Sequence, residues 1–269
     1  MHNNAEHNKE HNKKEERLET ITVVLLIVGI LGMVFNQFQL ITLTSAAAGS
    51  TINTDAQISA AATGISLADA AVIPKGTPDI YGKELSISYD DVNANNIEKT
   101  ESTISRLGDL DRAIVLEQKD LERYIDITSE ISCEYCCGAA SIIVTRDDVS
   151  NTNQKIEEAI KAGQITEAQA KQYRITPGVP ACGCAHSYAM RGLAKYLIQI
   201  HGSEYTNEQI LDELAKWKTL FFPGAMAAKA EIMKQKGIPF SYANLGSNRY
   251  RGIEQGSSSG SSGSMVGGC

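Results

Sequence analysis

The sequence lacks the patterns that identify several common classes of function. No cluster of basic residues stands out and the formal net charge is -7, so nucleic-acid binding is not expected, because phosphate contacts need clustered Lys and Arg. No glycine-rich phosphate-binding loop and no paired-carboxylate signature is present either. The distinctive chemistry of the chain is cysteine, since five of the six cysteines lie in two tight clusters.

Charged residues are absent from one long apolar run, Ile21 to Leu43. As a helix of 23 residues it would reach about 34 Å, enough to cross the roughly 30 Å hydrocarbon core of a membrane. Four basic residues precede it, and no Lys or Arg follows before Lys75. The positive-inside rule therefore predicts a single-pass protein of the cell membrane, with a cytoplasmic N-terminus and an extracytoplasmic main domain.

A cleaved signal peptide is the alternative interpretation of this run. Ala46 to Ala48 resemble a signal-peptidase site. The strictly apolar part ends near Phe35, about thirteen residues earlier, which is far for that enzyme. We therefore favour an uncleaved anchor that binds the membrane through residues 21–43.

Composition divides the chain into five predicted segments. They are a cytoplasmic polar segment (1–19), a transmembrane anchor (20–43), a low-complexity spacer (44–80), a helical Cys-rich domain (81–252) and a flexible Gly/Ser tail (253–269) that ends in Cys269. Alternating apolar residues predict a short strand over 85–89, and a β-prone run predicts another over 141–145. The expected fold is thus mainly α with a small β element, following a single transmembrane helix.

Helical patterns dominate the Cys-rich domain. An apolar stripe over 116–131 leads directly to the first cysteine cluster, and another over 185–200 begins just after the second. Two capping boxes, Thr166 with Gln169 and Thr206 with Gln209, mark further helix starts. Trp217, Met226 and Met233 lie at helical spacing, and we expect them in the hydrophobic core.

The two cysteine clusters predict one composite metal site. Its candidate ligands are Cys133, Cys136, Cys137, Cys182, Cys184 and His186. Cys182 and Cys184 lie at a helix start, where the helix dipole and backbone N–H groups stabilise thiolates. Zinc needs four ligands, and the preferred set is Cys133, Cys136, Cys182 and Cys184. The surplus thiols also suit Cu(I) or an Fe–S cluster, so the identity of the metal stays open.

Two alternatives use the same cysteines without a metal. Disulfides between the clusters would make a structural or interaction domain at the cell surface, with Cys269 pairing with the leftover thiol or with a protein partner. A thiol-disulfide oxidoreductase would use Cys133 and Cys136, although the strand and helix pattern of thioredoxin-like proteins is missing. We assign no catalytic residue.

The second cluster also resembles a known motif. The sequence from Pro180 to Cys184, followed by His186, is similar to the C-G-C core of the PCYCGC-motif proteins, which are membrane-associated and uncharacterised. The resemblance covers about 40 residues, and Pro180 stands where that family has its first motif cysteine. It implies an extracytoplasmic metal-binding domain in which the first cluster supplies the missing thiols.

Overall fold

Most of the described structure consists of α-helices. This computed structural model describes residues 72–254 and 265–267. Its α-helices, in chain order, are α1 (Tyr81–Glu84), α2 (Ile97–Ala113), α3 (Gln118–Ser129), α4 (Arg146–Lys161), α5 (Glu167–Ala170), α6 (Ala185–His201), α7 (Asn207–Phe221), α8 (Pro223–Gln235) and α9 (Tyr242–Gly246). Single 3-10 turns lie at Tyr89–Asp91, Lys171–Tyr173 and Asn248–Tyr250.

Local sequence explains where several of these helices begin. Three helices begin with a capping box, at Thr145, Thr166 and Thr206. In each box the threonine side chain accepts a hydrogen bond from the backbone N–H three residues later, and the side chain of that later residue accepts one from the backbone N–H of the threonine. The two predicted capping boxes are confirmed. The predicted helix over 185–200 is confirmed as α6, and the stripe that precedes Cys133 forms α3.

The predicted small β element is wrong. Residues 72–254 and 265–267 contain only isolated β-bridges and no strand. Over 85–89 the chain turns instead, because Ser86 adopts a left-handed backbone with φ of 51°. In the second run, Ile143 forms a single bridge with Pro180, and no ladder continues from it. The apolar alternation of both runs reflects burial of turn residues in the helical core.

The fold-class prediction also included a membrane-spanning helix, and none is found among residues 72–254 and 265–267. Within these ranges, every helix is too short or too polar to cross a bilayer. The predicted anchor over 21–43 lies outside the described residues. The described part of the chain is mostly helical and contains no strand.

The core forms where α2, α6 and α7 pack together. Helices α2 and α6 approach so closely that a Cβ added at Gly192 would lie 1.9 Å from the carbonyl oxygen of Leu107. Only glycine fits such a contact. Trp217, Met226 and Met233 are buried in the same core, which confirms the prediction made for them.

A buried arginine joins these helices to both cysteine-bearing segments. The fully buried guanidinium of Arg191 on α6 donates from Nε to Asp111 on α2 at 3.0 Å. It also donates to the carbonyl oxygens of Ile142 at 3.2 Å and Cys182 at 3.0 Å. Lys195 adds a second cation to Asp111 at 2.8 Å. This pairing fixes the loop that carries Cys182 against the segment that follows the first cluster.

We predict that Asp111→Ala lowers the free energy of unfolding by about 3–5 kcal/mol, because it leaves Arg191 charged and buried without its partner. The matched control is Asp109→Ala on the same helix, where an exposed pair with Arg112 is lost and the cost stays below about 1 kcal/mol. Urea denaturation followed by circular dichroism measures both. Equal losses in the two variants would contradict the role of Arg191.

Candidate metal centre

The first cysteine cluster lies in a tight turn after α3. The backbone N–H groups of Cys136 and Cys137 both donate to the carbonyl oxygen of Cys133 at 3.2 Å. An isolated bridge between Cys133 and Ala139 closes the turn, with Gly138 at a φ of 70°. Cys133 is buried while Cys137 is exposed. Sulfur atoms on successive residues therefore leave this turn in different directions.

The second cluster lies at the first turn of α6. Cys184 is the N-cap residue, and its Sγ accepts from the backbone N–H of Ser187 at 3.4 Å. The positive end of the helix dipole therefore lies next to this sulfur and favours its thiolate form. The hydrogen bond from Arg191 holds the carbonyl group of Cys182 two residues earlier. The fold thus fixes both ends of the C-G-C sequence.

The fold brings four of the six candidate ligands into one group. The Sγ atoms of Cys133, Cys137, Cys182 and Cys184 all lie within 4.8 Å of one another. Sulfur atoms about 2.3 Å from a tetrahedral ion would be separated by about 3.8 Å, so the group has the size of a four-thiolate site. A second group contains Cys136, Cys184 and His186, again within 4.8 Å. The four-sulfur group therefore contains Cys137, whereas the sequence favoured Cys136.

Disulfides are also present in this cluster. Cys137 and Cys182 form a disulfide with their Cα atoms 6.6 Å apart, and Cys136 is disulfide-bonded as well. Cys133 and Cys184 are free thiols whose sulfur atoms lie 3.3 Å apart. The structure therefore shows an oxidised form of a cluster that has the dimensions of a metal site.

The two free cysteines form an unequal pair. The hydrogen bond from Cys133 holds the pKa of Cys184 well below its usual range, and His186 and Ser187 act in the same direction. The same bond, together with burial, raises the pKa of Cys133. Cys184 is therefore the thiolate of the pair. A redox reaction that begins at Cys133, as in the predicted Cys133/Cys136 pair, would start from a buried thiol.

The C-terminal segment returns to this centre and orients His186. The buried ring of His186 packs against Phe221 and Phe222, and its Nε2 lies 2.9 Å from the carbonyl oxygen of Val266. A carbonyl oxygen only accepts, so Nε2 is the donor of this hydrogen bond. Val266 is itself buried and donates to the carbonyl oxygen of Phe221 at 2.9 Å. Backbone carbonyls commonly orient metal-binding histidines in this way.

Two buried lysines lie behind the first cluster. Lys218 on α7 pairs with Glu134 at 2.8 Å and donates to the carbonyl oxygen of Gly246 at 2.8 Å. Burial alone would raise the pKa of Glu134, but the charge of Lys218 outweighs it and lowers that pKa. The same ammonium group favours the thiolate of Cys133. Burial and the charge of Lys218 lower the pKa of Lys229 to about 8. The buried side of the cluster thus contains an ion pair and a second lysine.

An open cleft borders the second cysteine cluster. It has a volume of about 450 Å³ and lies between the start of α6 and α2. Gly183 and Ala185, which flank Cys184, form part of its lining, and Glu101 and Arg112 place opposite charges in it. The cleft therefore reaches the two residues on either side of Cys184.

Sequence reasoning missed three residues that shape this centre. Lys218 carries a visible signal, since it lies between Trp217 and the apolar end of α7, where a buried charge needs a partner. Arg191 likewise lies on the apolar helix α6. Val266 carries no such signal, because its role depends on a backbone carbonyl near the end of the chain.

Comparisons with known proteins give no relative for this chain. No family model, no curated protein and no solved structure matches it. The resemblance to the PCYCGC-motif proteins therefore stays a prediction, as does the extracytoplasmic location.

We predict that Lys218→Met lowers the free energy of unfolding by about 3–5 kcal/mol, because Glu134 is then buried without its cation. The double variant Lys218→Met with Glu134→Leu should recover most of this loss, since no unpaired charge remains. Arg174→Met, which removes an exposed pair with Glu157, is the matched control and should cost below about 1 kcal/mol. Chemical denaturation provides the comparison, and a double variant as unstable as the single one would refute the ion-pair explanation.

Proposed function

We propose that this protein binds a thiophilic metal ion through Cys133, Cys137, Cys182 and Cys184 when the cluster is reduced. The grouping of these four sulfur atoms within 4.8 Å of one another is the observation that carries the proposal. Thiolate ligands select soft or borderline metals, so zinc, Cu(I) and an Fe–S cluster are the candidate occupants.

Several features around the cluster support metal binding. Cys184 lies at a helix N-terminus, which favours its deprotonated form. The Cys184 hydrogen bond and burial raise the pKa of Cys133, and the charge of Lys218 opposes this shift. The anchored carbonyl group of Cys182 also limits the movement of its loop. These are the conditions that a preorganised thiolate site needs.

Metal binding requires that the disulfide between Cys137 and Cys182 is first opened. A dithiol reductant supplies two electrons and two protons, becomes a disulfide itself, and leaves two thiols in its place. The metal then displaces the thiol protons as it binds. The observed form and the metal-bound form are thus two states of the same residues.

A disulfide-stapled structural domain is the second candidate, and the Cys137–Cys182 disulfide favours it. This bond joins residues separated by 45 positions. In the chain-entropy model such a crosslink contributes about 4 kcal/mol to stability. A protein that keeps this bond permanently has no complete four-thiolate site.

We expect protein purified anaerobically with a dithiol reductant to retain bound metal, and the double variant Cys182→Ser, Cys184→Ser to lose both the metal and part of its helicity. Elemental analysis, a free-thiol titration and circular dichroism measure these outcomes. Met190→Leu is the matched control, because Met190 is buried on the same helix α6 and the substitution preserves its volume. Metal-free protein whose cysteines stay oxidised under reductant would establish the disulfide candidate instead.

A further inference from the structure

We infer that the reduced cluster holds two metal ions, with Cys184 as a thiolate bridge between them. This inference rests on the proposed function and extends it from one ion to two. The observation behind it is that two separate ligand groups share a single residue. One group is the four-cysteine set, and the other is Cys136, Cys184 and His186.

The two groups have different numbers of donors. The four sulfur atoms of the first group provide a complete tetrahedral position. The second group adds Cys136 and His186 to the shared sulfur of Cys184, which makes a three-donor position. Because a thiolate sulfur has several lone pairs, one cysteine can bind both ions. Every candidate ligand within residues 72–254 then has a role, including the two that a single zinc ion would leave over.

His186 is fixed at the second position by its surroundings. Its ring is completely buried and packs against Phe221 and Phe222, and its Nε2 donates to the carbonyl oxygen of Val266. Backbone carbonyls commonly hold one ring nitrogen of a metal-binding histidine in this way, which fixes the orientation of the ring. The segment that supplies this carbonyl is fixed by its own hydrogen bond to Phe221.

The chemistry of the second position favours Cu(I) over zinc. Zinc at a three-donor position would need a water molecule as its fourth ligand, whereas Cu(I) can bind with three ligands alone. Cu(I) is soft, prefers thiolate sulfur and accepts imidazole. A mixed set of two thiolates and one imidazole therefore suits Cu(I). The proposed occupant is a dinuclear Cu(I)–thiolate unit.

The test is an anaerobic titration of the fully reduced chain with Cu(I) against a competing Cu(I) chelator. We expect a sharp endpoint at two equivalents per chain and a copper–copper scattering path in X-ray absorption spectra. His186→Ala and Cys136→Ser should each reduce the endpoint to one equivalent and remove that path, because each removes a donor only from the second position. His201→Ala is the matched control, since His201 ends the same helix and bonds to Glu84 and Glu204, and it should keep two equivalents.

The outcomes separate this inference from the proposed function. One equivalent in the wild type, unchanged in His186→Ala and Cys136→Ser, would overturn the dinuclear site and leave the proposed metal site intact. No Cu(I) binding by the reduced protein would overturn the dinuclear site, and the absence of any metal in the anaerobically purified protein as well would overturn both. Circular dichroism identifies a variant that fails to fold, and the conservative variant His186→Gln then replaces His186→Ala in the comparison.

Discussion

The buried guanidinium of Arg191 is the contact on which the rest of the centre depends. It joins α6 to Asp111 on α2 and holds the carbonyl groups of Ile142 and Cys182 at the same time. These two carbonyls belong to the two segments that bring the cysteine clusters together. A buried charge needs hydrogen-bond partners, and Arg191 finds them for Nε and Nη1 in Asp111 and the two carbonyl groups. The arginine therefore joins the two segments to each other.

Charge and oxidation state together determine what the cluster does. With the disulfide between Cys137 and Cys182 closed, the bond staples the two segments, and Cys133 and Cys184 remain as a thiol and thiolate pair. The same four sulfur atoms lie within 4.8 Å of one another, and the proposed metal site uses them once this disulfide is opened. The disulfide staple and the proposed metal site are therefore alternatives for the same residues.

Sequence patterns predicted helices well and strands poorly, for a physical reason. A capping box such as Thr206 with Gln209 acts within four residues, so local sequence is sufficient to locate it. A strand needs a partner elsewhere in the chain, and the run around Ile143 finds only Pro180 for a single bridge. The left-handed backbone at Ser86 ended the other predicted strand. Apolar alternation alone does not distinguish a strand from a turn buried in a core.

The sequence by itself determined that two cysteine clusters are the chemical centre, that one of them begins a helix, and that the core is helical. Only the tertiary structure decided that Cys137 joins the four-sulfur group while Cys136 faces His186, because the turn after Cys133 sets the direction of each side chain. It alone also brought Lys218 and the carbonyl group of Val266 to the cluster. Such contacts join residues 80 or more positions apart, and no local pattern encodes them.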